Sequence, residues 1–181
     1  LTSTLAIPNA PVDALSDYDP IVVVTEIHPY FEDRAWLGDF GSVLVVYRDP
    51  IHLYYGCESF GYVTQYEDGL KIDFTFWPVD LMRQAAEDPQ LPDEFDAGYS
   101  ILLDKDGLTH RLRPPTYQAY IPKLPTETEY LERVELLFHN ATYVAKYLWR
   151  DDLVAAKHVL ENGMRQEDLL PMLEWRSEID H

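Results

Sequence analysis

The sequence predicts an α+β protein, a mixed β-sheet domain with flanking helices followed by a helical bundle. Three observations carry this. Short β-branched and aromatic runs recur as far as Trp77, several with strand-type alternation. A proline-rich stretch, Arg113 to Pro125, holds Pro114, Pro115, Pro122 and Pro125 and interrupts regular structure. Beyond it the apolar residues take up helical spacing. The expected domains are therefore 1–120 and 121–181.

In chain order, Pro20 to Glu26 (PIVVVTE) is a short β-branched run of the kind found in buried strands. Pro29 to Phe40 has helical spacing at Phe31, Ala35 and Leu37, with Gly41 as its stop. Ser42 to Tyr47 (SVLVVY) is a second apolar strand. Phe60 to Glu67 and Leu70 to Trp77 flank Asp68-Gly69, a strong hairpin signal. Asp88 to Asp96 is rich in proline and acid and reads as a loop, and Tyr99 to Leu103 as a further strand ended by Asp106-Gly107. Thr126 and Glu129 form a capping-box pattern. The apolar stripe Leu131, Val134, Phe138, Ala141, Ala145 and Leu148 follows it. Two more helices are expected, Asp151 to Asn162 ended by Gly163, and Arg165 to about Trp175, with Pro171 as a possible break.

The 181 residues include 32 acidic and 14 basic side chains, a net charge of −18. That charge argues against a nucleic-acid partner, whose phosphates it would repel, and suits a cationic partner or a metal-dependent acidic site. The 46% hydrophobic content is enough for a buried core. A single cysteine, Cys57, excludes an intrachain disulfide framework and fits a reducing cytoplasm. No apolar stretch reaches membrane-spanning length. The start, Leu1-Thr2-Ser3-Thr4, matches neither a signal peptide nor an initiator methionine, so the sequence is expected to be a piece of a longer chain.

Common catalytic fingerprints are missing. The eight glycines form neither a P-loop nor a GxGxxG pattern, and there is no GxSxG elbow and no HExxH. Asp104-Lys105-Asp106-Gly107 begins like a calcium loop, but the twelfth position is Pro115 rather than Glu, leaving a polar turn. What survives is Asp17-Tyr18-Asp19, which runs straight into the strand Ile21 to Val24. Residues two apart on extended chain share a face, so the two carboxylates stand side by side. Asp73 lies in mid-strand, alternating with Ile72 and Phe74, where an acid is disfavoured without a partner or water. Three converging carboxylates would suit two magnesium ions about 4 Å apart, an arrangement that promotes in-line phosphoryl chemistry.

With these residues in place, the chain resembles the aminoglycoside 6-adenylyltransferases, or streptomycin adenylyltransferases, of the polymerase-β-like nucleotidyltransferase superfamily. The supporting segments are PNAPVDALSDYD (Pro8 to Asp19), WLGDFG (Trp36 to Gly41), QYEDGLKIDFTF (Gln65 to Phe76), LLDKDG (Leu102 to Gly107) and YVAKYLWR (Tyr143 to Arg150). The resemblance implies magnesium-dependent transfer of AMP from ATP to a hydroxyl of a cationic aminoglycoside such as streptomycin, with pyrophosphate released. It implies Asp17, Asp19 and Asp73 as catalytic metal carboxylates, with Asp73 also the proton acceptor, ahead of the rival Glu67. Lys146 and Arg150, with Lys105, are implied triphosphate contacts, and Glu67, Trp77 and Asp80 (beside Asp68) are candidates for the acceptor pocket. The oligomeric state is left open. The alternatives are another acceptor, either a small molecule or a protein, and a non-catalytic nucleotide-binding module. Two departures stand out. No Gly-Ser pair precedes Asp17: an ungapped match puts Ser3-Thr4-Leu5 where Gly-Ser-Arg is expected, or the motif lies before Leu1. Pro20 removes a backbone donor beside Asp19.

Overall fold

The computed structural model describes residues 1–180, and Cα packing divides them into two compact units that begin at Leu1 and at Ile121. The first unit ends at Tyr120 and is built on a mixed sheet. Its strands are β1 (Ile21–Val24), β2 (Val43–Arg48), β3 (His52–Tyr54), β4 (Cys57–Tyr66) and β5 (Lys71–Pro78), in the order β1-β5-β4-β2 with β3 on β4. β4 and β5 form the expected hairpin, with Gly69 at φ 94° in its turn, a conformation only glycine adopts without strain. β1 pairs with β5 in parallel, so it lies at the sheet edge and is half-buried rather than fully buried.

The period-2 pattern of β5 sorts its side chains onto two faces. Ile72, Phe74 and Phe76 join Phe60, Tyr62 and the intermediate Val22 and Val24 in one core. That core is covered by the β1–β2 crossover, where α1 (His28–Glu32) and a 3-10 turn, Ala35–Phe40, replace the single helix the spacing predicts. The Asp33 carboxylate accepts from the Ala35 amide and ends α1, and the turn then drives Trp36 into an aromatic cluster with Tyr30, Tyr62, Phe74 and Phe76. The opposite face holds Ile21, Val23 and Trp77 under α2 (Val79–Glu87) and α3 (Asp93–Asp96), which supply Leu81, Met82, Ala85 and Phe95. α3 lies within the segment expected to be loop.

Tyr99 to Leu103 is not a strand. Ser100 pairs its amide with the Leu1 carbonyl instead of with a sheet neighbour, and Ile101, Leu102 and Leu103 stay exposed.

The second unit begins with α4 (Glu127–Trp149), whose Thr126/Glu129 capping box is fully formed. The face it buries is rotated from the expected stripe. Val134 and Ala141 turn inward with Arg133, Leu137 and Asn140, while Phe138 is 68% and Leu148 54% exposed, and Leu131 and Ala145 are exposed too. The rotation aims Arg133 and Asn140 at Asp168, a completely buried acid. The Asn140 amide donates to its Oδ2 at 2.9 Å, and the Arg133 guanidinium lies 3.8 Å from its Oδ1.

The expected stop at Gly163 does not operate, nor does the possible break at Pro171. α5 (Leu153–His158) runs into a π-helical segment, Val159–Leu169, and on into α6 (Leu170–Asp180). Gly163 stays helical, because its bare Cα lies against Asn140: a Cβ there would meet Nδ2 at 3.3 Å. Pro171 has no N–H to offer the carbonyl four residues back, which belongs to Glu167. Arg133 donates to that carbonyl at 2.7 Å instead. One guanidinium thus donates to the orphaned carbonyl and sets its charge beside the buried carboxylate, whose Oδ1 makes no hydrogen bond.

Arg133→Met should cost about 2–4 kcal/mol in urea unfolding, the range for stranding a buried acid and a carbonyl. In a Pro171→Ala background, where the backbone can serve Glu167, the loss should shrink; equal losses in both backgrounds would show no coupling.

Candidate functional site

The site forms where β1 and β5 run parallel. Ile21 faces Thr75, and the isolated bridge Tyr18–Ile72 carries the same register back past Pro20. That register sets Asp17 beside Lys71 and Asp19 beside Asp73. The Tyr18 amide donates to Lys71 O at 3.1 Å and the Asp73 amide to Tyr18 O at 2.8 Å, so the main chain locks the alignment. Pro20 still accepts from Thr75 at 3.0 Å, but it cannot return the bond, and regular β1 starts only at Ile21. This is the local irregularity that a proline beside a carboxylate produces.

Lys71 alternates with Asp73 and so shares its face. Its ammonium donates to Asp17 Oδ2 at 2.5 Å and to Asp73 Oδ2 at 2.9 Å, and these two bonds raise its pKa above the ordinary lysine value. Asp73 Oδ1 is buried and makes no hydrogen bond. Burial, then the charges of Asp73 and Asp17, push the Asp19 carboxyl above its ordinary pKa of 3.8, against a hydrogen bond from Ser3.

Ser3 holds φ 63° and ψ −159°, a region that favours glycine. It stands at the ungapped position of the missing Gly-Ser motif, and its contact with Asp19 was not predicted. Lys71 was legible only as a polar alternate of Asp73, and nothing in the sequence marked it as the bridge.

The structure brings Asp17, Asp19 and Asp73 together around an amine rather than around open space. Among the described residues, no group of three or more His, Cys, Asp or Glu side chains is placed to hold a metal ion. The three-carboxylate cage is therefore not preformed, because Lys71 neutralises two of its members. Asp73 faces Val63, with Thr64 opposite Ile72, one residue from the expected pairing.

The acceptor candidates separate. Glu67 lies exposed in the β4–β5 turn, its amide bound to Ser42 O. Trp77 is six residues along β5 from Lys71, about 20 Å at strand rise. Asp80 is exposed on α2 and pairs with Arg83 at 3.1 Å. Glu67, Trp77 and Asp80 thus do not form one pocket, since the hairpin is extended and they occupy its two ends. Trp77, 1% exposed, packs against Phe95 and Tyr54.

Lys105 lies exposed at the rim of a cavity of about 420 Å³ lined by Ile21, Met82, Phe95 and Tyr99. Asp104 beside it is tied into the expected polar turn by the Thr109 hydroxyl and the Leu108 and Thr109 amides, which hold its pKa at about 2. In the second unit, Lys146 lies over the Tyr143 ring at 5.3 Å in the last turn of α4, and Arg150 caps the helix. No helix among the described residues is long and apolar enough to cross a membrane.

A family model described as streptomycin adenylyltransferase matches residues 1–181. The chain is 30% identical over 174 residues to an aminoglycoside 6-adenylyltransferase of Staphylococcus aureus, covering 92% of this chain and 58% of that protein. A protein of the same description from Campylobacter jejuni is 29% identical over 172 residues, covering 92% and 56%. The crystal structure of an aminoglycoside 6-adenyltransferase from Bacillus subtilis aligns with a TM-score of 0.33 and 25% identity, over 88% of this chain and 56% of that one. The chain spans a little over half the length of the curated relatives it matches. With a family model matched along its whole length, the chain belongs to the streptomycin adenylyltransferase family.

Proposed function

We propose that this chain carries the carboxylate centre of an adenylyltransferase that moves AMP from ATP to a hydroxyl of an aminoglycoside such as streptomycin. The observation that supports this most is the register of β1 on β5, which gathers Asp17, Asp19 and Asp73 on one face. Family membership and the names of the relatives supply the reaction class.

The residues fit a divalent cation such as magnesium. Asp73 Oδ1 is buried without a partner, and Asp19 is crowded by like charge. Asp17, Asp19 and Asp73 would hold the metal once Lys71 turns aside, two ions being the number three carboxylates suit. When bound, the metal neutralises triphosphate charge and polarises the phosphorus under attack.

Asp73 then takes the proton of the acceptor hydroxyl. The hydroxyl oxygen bonds to the α-phosphorus, the bond to the bridging oxygen breaks, and pyrophosphate leaves with that electron pair. Lys146 and Arg150, with Lys105, are proposed to receive the triphosphate as localised positive charge. The strong negative charge suits a polycationic acceptor, which it attracts over distance. A soluble, cytoplasmic enzyme needing no nucleic acid or membrane completes the reading.

Pyrophosphate release from ATP should require both magnesium and streptomycin. Asp73→Asn should lower kcat at least a hundredfold, the scale of a lost general base. Activity unaffected by this change, or no release with any aminoglycoside, would contradict the proposal.

Asp19 yields a pH prediction. Its raised pKa means the folded state disfavours the ionised form, a cost fully present above that pKa and gone well below pH 3.8, where both states are protonated. Asp19→Asn should therefore raise Tm at pH 7.5, with the gain shrinking as the pH falls through the folded-state pKa and gone well below pH 4. A lower Tm at pH 7.5 would contradict this.

A further inference from the structure

A second cavity opens on the Asp73 face of the sheet. It encloses about 210 Å³ and is lined by Asp49, His52, Tyr54, Trp77 and Glu94 over Gly61 and Thr75. Its position follows from register. Ile21, Thr75 and Gly61 face one another across β1, β5 and β4, and the Asp49 amide donates to Gly61 O at 3.0 Å on the far side. This row lies one pleat along from the row holding Asp73 and Val63, about 7 Å away at strand rise.

Gly61 is what keeps the floor open. A Cβ there would sit 3.0 Å from Phe74 O and 3.1 Å from Asp49 Oδ2, so the Asp49 carboxylate occupies the space that any other residue would fill.

The lining has the chemistry of a cation site. Tyr54 and Trp77 form its aromatic wall, with ring centroids 5.7 Å apart. Tyr54 donates its hydroxyl to Glu94 Oε2 at 3.0 Å, which fixes that carboxylate beside the rings. His52 turns Nδ1 to the Pro50 carbonyl at 3.2 Å. No Lys, Arg or His among the described residues forms an ion pair with Asp49 or Glu94. Two uncompensated carboxylates repel a triphosphate, and with π-faces beside them they attract an ammonium or guanidinium. The volume is below the roughly 300–1,000 Å³ of sites that enclose a whole drug-sized ligand. It therefore suits one ring or one charged substituent.

We infer that this cavity is the subsite for a cationic ring of the aminoglycoside acceptor, anchoring it about one pleat from Asp73. The inference rests on the adenylyltransferase reading for the identity of the ligand, and the test keeps the two apart.

Streptomycin is titrated calorimetrically into the intact protein without nucleotide, alongside Asp49→Asn and Glu94→Gln, changes that remove charge while keeping shape. Each should weaken streptomycin binding roughly tenfold, the worth of one charge-assisted hydrogen bond, and reduce its salt dependence. Mg-ATP affinity should not move. Unchanged streptomycin affinity in both variants, or no binding to the wild-type protein, overturns the subsite. Binding that depends on Asp49 and Glu94 in a protein that releases no pyrophosphate supports the subsite and overturns the adenylyl-transfer reading instead.

Discussion

The parallel pairing of β1 with β5 is the constraint from which the first unit takes its chemistry. Because side chains alternate strictly along a strand, a slip of one residue would send Asp17 and Asp19 to the aromatic core and bring Tyr18 up in their place. The two backbone bonds around Tyr18 prevent that slip. They also force three carboxylates into proximity, and a lysine relieves the resulting repulsion. Lys71 reaches Asp17 and Asp73 while about a third exposed, so its contribution is screened and serves geometry more than stability. It holds the acids in place without consuming Asp73 Oδ1, which is left for another partner.

The helical unit solves a different problem by similar means. A proline and a buried acid on one continuous helix each leave an unmet demand: Arg133 donates to the carbonyl the proline orphans and sets its charge 3.8 Å from the acid, whose Oδ1 makes no hydrogen bond. The π-helical segment is where the helix widens to pass Gly163 under Asn140 and present Asp168 inward. Polar anchors rather than apolar periodicity therefore set the rotation of α4, which is why Phe138 and Leu148 face outward while Asn140 faces in.

What could be read in the sequence follows from how local each signal is. The β4–β5 hairpin and the capping box of α4 are written in adjacent residues, and both form as the pattern dictates. The carboxylates Asp17 and Asp19 were legible because period-2 geometry needs no knowledge of the partner strand. Their pairing with Lys71 was not, because it depends on a register across more than fifty residues. Tyr99 to Leu103 has strand composition but found no sheet neighbour, and Gly163 and Pro171 have stop-signal composition but met compensating side chains from α4. The acceptor grouping of Glu67 with Trp77 and Asp80 failed because nearness in sequence is not nearness along an extended hairpin. Asp49 and Glu94 come from distant segments and were invisible without the fold.

Asp17, Asp19 and Asp73 are proposed to form one cation site that Lys71 holds closed. A crystal of the protein soaked in manganese chloride, with data collected to reveal anomalous scattering from manganese, addresses it directly. The predicted result is an anomalous peak among the three carboxylates with the Lys71 ammonium turned away from Asp17 and Asp73. A map with no peak there and the Lys71 bridge intact at saturating manganese would contradict it.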